Sequence, residues 1–598
     1  MYQSSTIDHR IDHFGRTLRR QLKRLYGDVH DVDDLWERVE EILRARHEDR
    51  SAALRDLDAT RAADPNWFVA PEMLGYSTYI DRFASTVPGL EQHVDHLEAL
   101  GVRYLHLLAL LKARKGDSDG GFAVADYLSI EPALGTMADV ERLAAQLRKS
   151  RISLCVDLAL NHTSDDHHWA LAAKAGDPLF RDFYIVVDEE TARLREKDLS
   201  QVFPGTAPGN FTHVPEMGGW VWTTFYPFQW DLNWANPKVL LAILDAMLRL
   251  ANHGFEAFRF DSIAFLWKEA GTDSRNRPAA HHIVRALRAA LDIAAPATLI
   301  KAEAIVPTAY VPPYFGADEG EGFEAECHLV YNNSLMVAGW VALSEGDAAL
   351  PEAIIQASGG LPPGANWLSY VRCHDDIGWS SVLNDLASFD PKPIERLTQA
   401  ARFTEGRQGS WACGEAFQSD GASVHGTNGT LASLAGLERA TDEQSRDAAL
   451  RRIRLLNALS IASGGLATLF MGDEAGLLND HSYLNDPQRR HEGRWVHRPD
   501  MDWEALDKPT ARRIISDINA LRDARIASGG AGGPEAFDTG HPALLGVRCG
   551  SDLVFLNFSA TPISVVLPTD CSDRLIGRPI DRQAILKPWD VLWAGVSE

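Results

Sequence analysis

Residues 254–265 read Gly254-Phe255-Glu256-Ala257-Phe258-Arg259-Phe260-Asp261-Ser262-Ile263-Ala264-Phe265, an apolar run broken by one arginine and one aspartate two positions apart. The pattern predicts a buried strand. Side chains alternate faces along a strand, so Arg259 and Asp261 leave it on the same side. A guanidinium that close keeps the carboxylate ionised and lowers its pKa. An anionic aspartate so held is a candidate nucleophile. A salt bridge at a strand end is the other reading of an isolated Arg-x-Asp, because buried acids ordinarily have partners. The choice rests on what else the chain brings to Asp261.

Working outward, seven further short apolar runs match this one: 74–83, 102–110, 153–160, 297–305, 325–332, 367–375 and 466–474. Amphipathic helical patterns separate them, which is the βα alternation of a parallel sheet. Eight such units predict an α/β fold, a (β/α)8 TIM barrel. The intervals after the third and seventh strands, each roughly 90 residues, are too long for simple connections and predict inserted subdomains. Ahead of the barrel, Ile11, Phe14, Leu18, Leu22 and Leu25, then Leu35, Val39, Ile42 and Leu43, recur at helical spacing. At the far end Val554, Leu556 and Phe558, then Trp589, Val591 and Trp593, alternate as in an antiparallel sheet. The expected layout is a helical domain over 1–72 and barrel segments over 73–160, 236–375 and 433–534. Inserted segments occupy 161–235 and 376–432, the second of them short, and a C-terminal β domain covers 535–598.

The chain has 598 residues, too many for a single core. Lys and Arg total 59 against 83 Asp and Glu, a formal charge of −24. That balance disfavours nucleic acid or an anionic membrane as partner and suits a neutral small molecule. The first residues carry charges every few positions, unlike a secretion signal, and no run approaches a membrane span, so a cytoplasmic location is expected. The six cysteines, Cys155, Cys327, Cys373, Cys413, Cys549 and Cys571, show no close pairing and read as reduced packing residues rather than disulfides or a zinc site.

In a barrel the catalytic groups lie at the C-terminal strand ends. The third run ends Asp157-Leu158-Ala159-Leu160-Asn161-His162, the fifth Lys301-Ala302-Glu303, and the seventh Arg372-Cys373-His374-Asp375-Asp376. Carboxyl groups at strands four, five and seven, with histidines at three and seven, are suited to glycoside chemistry. A retaining glycosidase needs one carboxylate to attack the anomeric carbon and a protonated one to release the leaving oxygen.

These runs, with Gln229-Trp230-Asp231-Leu232-Asn233, resemble the conserved regions of glycoside hydrolase family 13, the α-amylase family. Within it the chain is most similar to the amylosucrase and sucrose hydrolase branch. Ser118-Asp119-Gly120-Gly121-Phe122-Ala123-Val124, Trp222-Thr223-Thr224-Phe225, Phe265-Leu266-Trp267-Lys268 and His374-Asp375-Asp376-Ile377-Gly378-Trp379 carry that similarity. The resemblance implies that Asp261 is the nucleophile, Glu303 the general acid and then base, and Asp375 the third carboxylate. Glu303 is then expected in a less polar setting with a raised pKa. The resemblance further implies that His162 and His374 bind glucosyl hydroxyls, that Asp119 and Arg494 form an ion pair sealing the glucosyl pocket, and that Phe122 and Phe225 make an aromatic platform. Gln229, Arg259 and Asp376 complete the implied substrate-binding set.

The asparagine matching Asn161 helps bind calcium in α-amylases; the branch resembled here implies no metal and no cofactor, and a structural amide. Asn161-His162-Thr163, Asn428-Gly429-Thr430 and Asn557-Phe558-Ser559 fit a glycosylation pattern but read as coincidental without a secretion signal. Two departures concern the acceptor side. The segment after the seventh strand lacks a recognisable acceptor arginine, and Ser423-Val424-His425 stands where amylosucrases carry another. Fewer bidentate donors weaken the hold on a sugar acceptor, so water should compete better. The expectation is a retaining enzyme that hydrolyses sucrose, the alternative being glucosyl transfer from sucrose to an α-1,4-glucan acceptor.

Overall fold

The computed structural model describes residues 6–407, 409–418, 425–530 and 532–596. Eight parallel strands close into a barrel: β1 (Leu74–Tyr79), β2 (Tyr104–Leu108), β3 (Ser153–Ala159), β4 (Ala257–Asp261), β5 (Leu299–Ala302), β6 (Leu329–Tyr331), β7 (Asn366–Tyr370) and β8 (Leu466–Phe470), with β8 pairing back onto β1. Their residues are buried on both faces, as the near-continuous apolar runs require.

All eight strands are shorter than their apolar runs. β1 gives way at Tyr79 to a helical turn, Ile80–Phe83, and β7 stops at Tyr370 because its register with β8 ends there. The residues beyond, Arg372 to Asp376, therefore enter a loop with their side chains free of the ladder. The sixth run is split: Phe323–Ala325 pairs with Gly316–Asp318 in a separate hairpin, and only Leu329–Tyr331 joins the barrel.

Three helices precede the barrel: α1 (Ile7–Tyr26), α2 (Val32–Glu48) and α3 (Ala52–Ala63). Each begins on a side-chain cap, Thr6, Asp31 or Ser51, that accepts from first-turn N–H groups. Leu18, Leu22, Leu35, Val39 and Leu43 are buried in the same apolar core as the barrel. Arg61 at the end of α3 reaches Glu256, Ser153 Oγ and the Ala297 carbonyl, at or just before the starts of β4, β3 and β5. α1 packs along the barrel helix Pro278–Ala294 and α2 along Pro237–Asn252, on the outside of the barrel, and only the end of α3 reaches the N-terminal strand ends.

Between β3 and β4, Val186–Val187, Phe211–Val214 and Gly219–Trp222 form a small antiparallel sheet. Gln229–Asp231 then returns to pair with His162–Ser164 just past β3, setting Asp231 opposite His162. Between β7 and β8, Ile377–Gly378, Gly426–Asn428 and Glu415–Phe417 make a second three-stranded sheet. Ser423 and Val424 of the expected acceptor region lie outside the described residues. A six-stranded antiparallel sheet with a two-stranded companion closes the chain over its own apolar core.

The six cysteines are all free. Asn161, Asn428 and Asn557 are buried, so the three glycosylation-like triplets are inaccessible. Among the described residues no helix is long and apolar enough to cross a membrane.

Candidate active site

The barrel register sets Arg259 of β4 level with Asp157 of β3 and Lys301 of β5. Arg259 is 2% exposed and sits at the centre of the cluster. Its Nη1 donates to Asp157 Oδ1 at 3.0 Å and to Asp261 Oδ1 at 2.6 Å, while Nη2 lies 2.6 Å from Glu303 Oε1. One planar guanidinium thereby fixes three carboxyl groups through two different nitrogens. Asp157 is itself held by His106 Nε2 at 3.0 Å and the Ala109 N–H at 3.0 Å. Beneath, Lys301 Nζ is 3.1 Å from His106 Nδ1, and burial brings that ammonium down to about 8.

Ser262, directly after Asp261, adopts φ 54°, a left-handed conformation uncommon outside glycine. The twist aims its N–H at Glu303 Oε2, 2.9 Å away. Burial pushes the Glu303 carboxyl well above the usual range; Arg259 opposes this, and the Asp261 and Asp375 charges add to it. The setting corrects the expectation of a less polar niche. Glu303 lies among charged and hydrogen-bonding groups, and it is its own burial that favours its proton.

One wall of the site is a charge network around Arg494. Its Nη2 donates to Asp119 Oδ1 at 2.8 Å, its Nη1 to Asp375 Oδ1 at 3.0 Å, and its Nε to Glu492 Oε1 at 2.8 Å. Burial raises Asp119 against the pull of Arg494. Glu492 is held down at about 2, the charge and hydrogen bonds of Arg494 outweighing burial. Gln229 Nε2 bridges Asp119 Oδ2 at 3.3 Å and His162 Nε2 at 3.0 Å. His374 Nε2 lies 3.3 Å from Asp375 Oδ2, and burial holds this imidazole well below its ordinary pKa. Its carbonyl accepts from Arg498 and His497, which pins the loop after β7.

The Phe122 ring stacks on His374, with centroids 5.2 Å apart and planes 20° from parallel. Phe225 meets His162 at 5.3 Å and Phe265 at 5.4 Å, both edge-on. Asp376, raised to about 6 by burial, faces Gly426, where any β-carbon would come within 1.8 Å of its Oδ2. All twelve residues expected at the site line, or are bonded to residues that line, one cavity of about 400 Å³ at the C-terminal strand ends.

The residues around Asn161 do not fit a calcium ion. Lys268 Nζ donates to Asn161 Oδ1 at 2.9 Å and to the Phe265 carbonyl at 2.5 Å, and pairs with Asp231 Oδ2 at 2.6 Å, all buried. The oxygen donors a metal would need already surround an ammonium of the chain itself. Cys373, His374 and Asp375 also cluster, yet burial raises the Cys373 thiol to about 12 and Asp375 is engaged by Arg494. That donor set suits a protonated thiol better than a bound metal.

Several contributors were not expected from the sequence: Glu492, Ser262, Lys268, Lys301, His106 and Arg275. Glu492 stands two residues before Arg494, and that adjacency was the one available signal. Arg275 lines the cavity from the loop after β4.

A family model described as the α-amylase catalytic domain matches residues 74–383, just over half of the chain. With the closed barrel and the carboxyl cluster at its strand ends, this defines the class as barrel glycoside hydrolases. The chain belongs to the α-amylase family, glycoside hydrolase family 13. It is 30% identical over 431 residues to a trehalose synthase of Thermus thermophilus, spanning 71% of this chain and 40% of that one. A glucosylglycerate phosphorylase of Allomeiothermus silvanus is 30% identical over 377 residues, 62% of this chain and 63% of that one. The match thus spans about half the length of these relatives. In fold, the chain is similar to sucrose 6F-phosphate phosphorylase from Thermoanaerobacter thermosaccharolyticum, with a TM-score of 0.64 and 16% identity over 86% of this chain and 98% of that one.

Proposed function

We propose that this protein is a retaining, α-glucoside-active enzyme that cleaves sucrose, releasing chiefly glucose and fructose. Glu303 gives its proton to the glycosidic oxygen as Asp261 attacks the anomeric carbon, forming a β-glucosyl ester and freeing fructose. Glu303, now ionised, takes a proton from water; that water attacks the same carbon, the ester bond breaks, and α-glucose leaves with Asp261 restored. Asp375 and His374 hold hydroxyls of the ring as it gains oxocarbenium character, His162 and Gln229 bind from the facing wall, and Phe122 and Phe225 bracket the sugar.

The single observation that carries this reading is the Arg494–Asp119 pair at 2.8 Å, which closes the cavity beside Asp375. A closed end fits one terminal glucosyl unit rather than the middle of a polymer. Relatives named as a trehalose synthase and a glucosylglycerate phosphorylase are in keeping with small glucosides. Among the described residues of 376–432, no arginine or lysine lines the cavity, which leaves a sugar acceptor few charged donors and favours water.

The test is product analysis with sucrose alone and with added glycogen or maltooligosaccharide. Equal free glucose and fructose are expected in both. Fructose with elongated or precipitating glucan would replace hydrolysis by transfer, and no turnover of sucrose at all would remove the substrate assignment.

A further inference from the structure

Three cationic side chains line the cavity: Arg259, Arg494 and Arg275. Arg259 and Arg494 are each tied to several carboxylates. Arg275 is different. Among the described residues no carboxylate lies within ion-pair distance of its guanidinium; its side-chain partners are the Ile305 carbonyl, accepting from Nη2, and the Phe265 ring, 5.4 Å below the guanidinium carbon. The nearby Asp273 carboxylate is instead used by the Arg275 backbone N–H, at 3.2 Å. A guanidinium offers five N–H donors, so most of this one remains available. Asp273 attracts this half-buried cation without bonding to it, so the group is only partly compensated and an incoming anion offsets the remaining cost.

Position gives the group its meaning. Ile305 follows Glu303 by two residues and lines the same cavity, so Arg275 is fixed on the side from which Glu303 would protonate a leaving oxygen. The rest of the cavity carries the carboxyl groups of Asp119, Asp261, Asp375 and Asp376 and disfavours anions. An oxyanion is best tolerated beside Arg275, the one cavity-lining cation among the described residues with no bonded carboxylate.

We infer that Arg275 extends the leaving-group end of the cavity beyond sucrose to α-glucosides whose aglycone carries a carboxylate or a phosphate, which it favours over their neutral counterparts. This rests on the proposal that Asp261 and Glu303 cleave α-glucosides, and it names the aglycone class.

The test compares kcat/KM on matched pairs: an α-glucoside of a hydroxy acid against its methyl ester, and sucrose phosphorylated on the fructosyl ring against sucrose. The first pair reports on carboxylate and the second on phosphate. The wild-type enzyme should prefer at least one charged member roughly 10- to 100-fold at low ionic strength, as a charge-assisted hydrogen bond allows, and added salt should shrink the preference. Arg275→Gln should remove most of that ratio and Arg275→Glu should invert it. Equal treatment of both pairs by the wild type, a preference insensitive to salt, or a preference kept in Arg275→Gln overturns the inference. Absence of glucose release from every neutral and charged glucoside overturns the underlying cleavage proposal instead. The wild-type salt series decides the matter if the variants do not fold.

Discussion

Arg494 and Asp375 meet at 3.0 Å, so the guanidinium that pairs with Asp119 in the cavity wall also holds the third carboxyl group of the cluster. Wall and candidate catalytic group share one side chain. Asp119 and Arg494 stand 375 positions apart in the chain, brought together only by closure of the barrel.

Removing that side chain should therefore do more than open the pocket. In Arg494→Ala, Asp119, Asp375 and Glu492 would face one another without their common counter-charge, costing more than a lost contact. A misplaced glucosyl unit should lower kcat together with binding, and kcat/KM on sucrose should fall roughly 100-fold or more. Arg494→Lys should recover only part, since an ammonium cannot reproduce the planar fork. Steady-state kinetics beside a circular-dichroism melt separates this from unfolding; wild-type kcat/KM in Arg494→Ala excludes the sealed-pocket assignment.

Asp261→Asn keeps shape and removes the attacking charge. Turnover of sucrose should drop on the order of 10⁴-fold, the scale on which loss of a nucleophile acts. The glucose first released by the wild type should be the α anomer, read by NMR before mutarotation; β glucose would indicate inversion. The carboxyl groups of Asp261 and Glu303 are then expected about 5–5.5 Å apart in a sugar complex.

Because burial raises Glu303, its proton should survive well above the usual carboxylate range, and the alkaline limb of kcat/KM should report its loss. Glu303→Gln should abolish this limb while substrates with very good leaving groups retain their first step, visible as a burst of released aglycone. An unchanged alkaline limb in that variant would reassign the acid.

Lys268 and Asp231 test the fixed cation beside Asn161. Lys268→Ala strands a fully buried carboxylate and should cost about 3–5 kcal/mol. The double change Lys268→Met with Asp231→Asn should recover much of that stability in a denaturant melt. Calcium should restore neither variant. Restoration of Lys268→Ala by calcium would show that the oxygen cage can hold a metal after all.

The Lys301 ammonium has a folded pKa of about 8 against 10.5 when free. The unfolded chain therefore binds more protons between those values, and this group's contribution makes stability rise as pH rises through that window. Lys301→Met should lack that slope, so the difference between its stability and the wild type's should change with pH across that window. Identical pH dependence in both would mean that Lys301 is not depressed.

The barrel could be read from sequence because each strand is a short apolar run between helical patterns, and such runs do not depend on distant partners for recognition. Their ends could not. The run read from sequence extends to Asp375, while the hydrogen-bonded ladder with β8 stops at Tyr370. In the same way Asp261, Glu303 and Asp375 were visible as polar residues closing strands, with family resemblance supplying their roles. The supporting contacts were hidden because each depends on segments that meet only in three dimensions. Lys268 stood in a recognised run, yet its partners Asn161 and Asp231 come from β3's exit and the inserted segment. Arg275 carried no signal at all, since what marks it is the lack of a carboxylate beside it, and that is a property of the folded neighbourhood.

The docking of Arg61 onto Ser153, Glu256 and Ala297 imposes an order on the birth of the molecule. The ribosome makes the three leading helices first, but the helices at 237–252 and 278–294 that they pack against, and the Ala297 carbonyl that Arg61 joins, come only about 200 to 300 residues later. Their apolar faces, with Leu18, Leu22, Val39 and Leu43, must wait through about half of translation unprotected except by one another, a stage at which exposed apolar surface invites aggregation or chaperone capture. Ribosome-bound chains halted before residue 297 should expose these helices to protease, and chains long enough to include β5 should shield them.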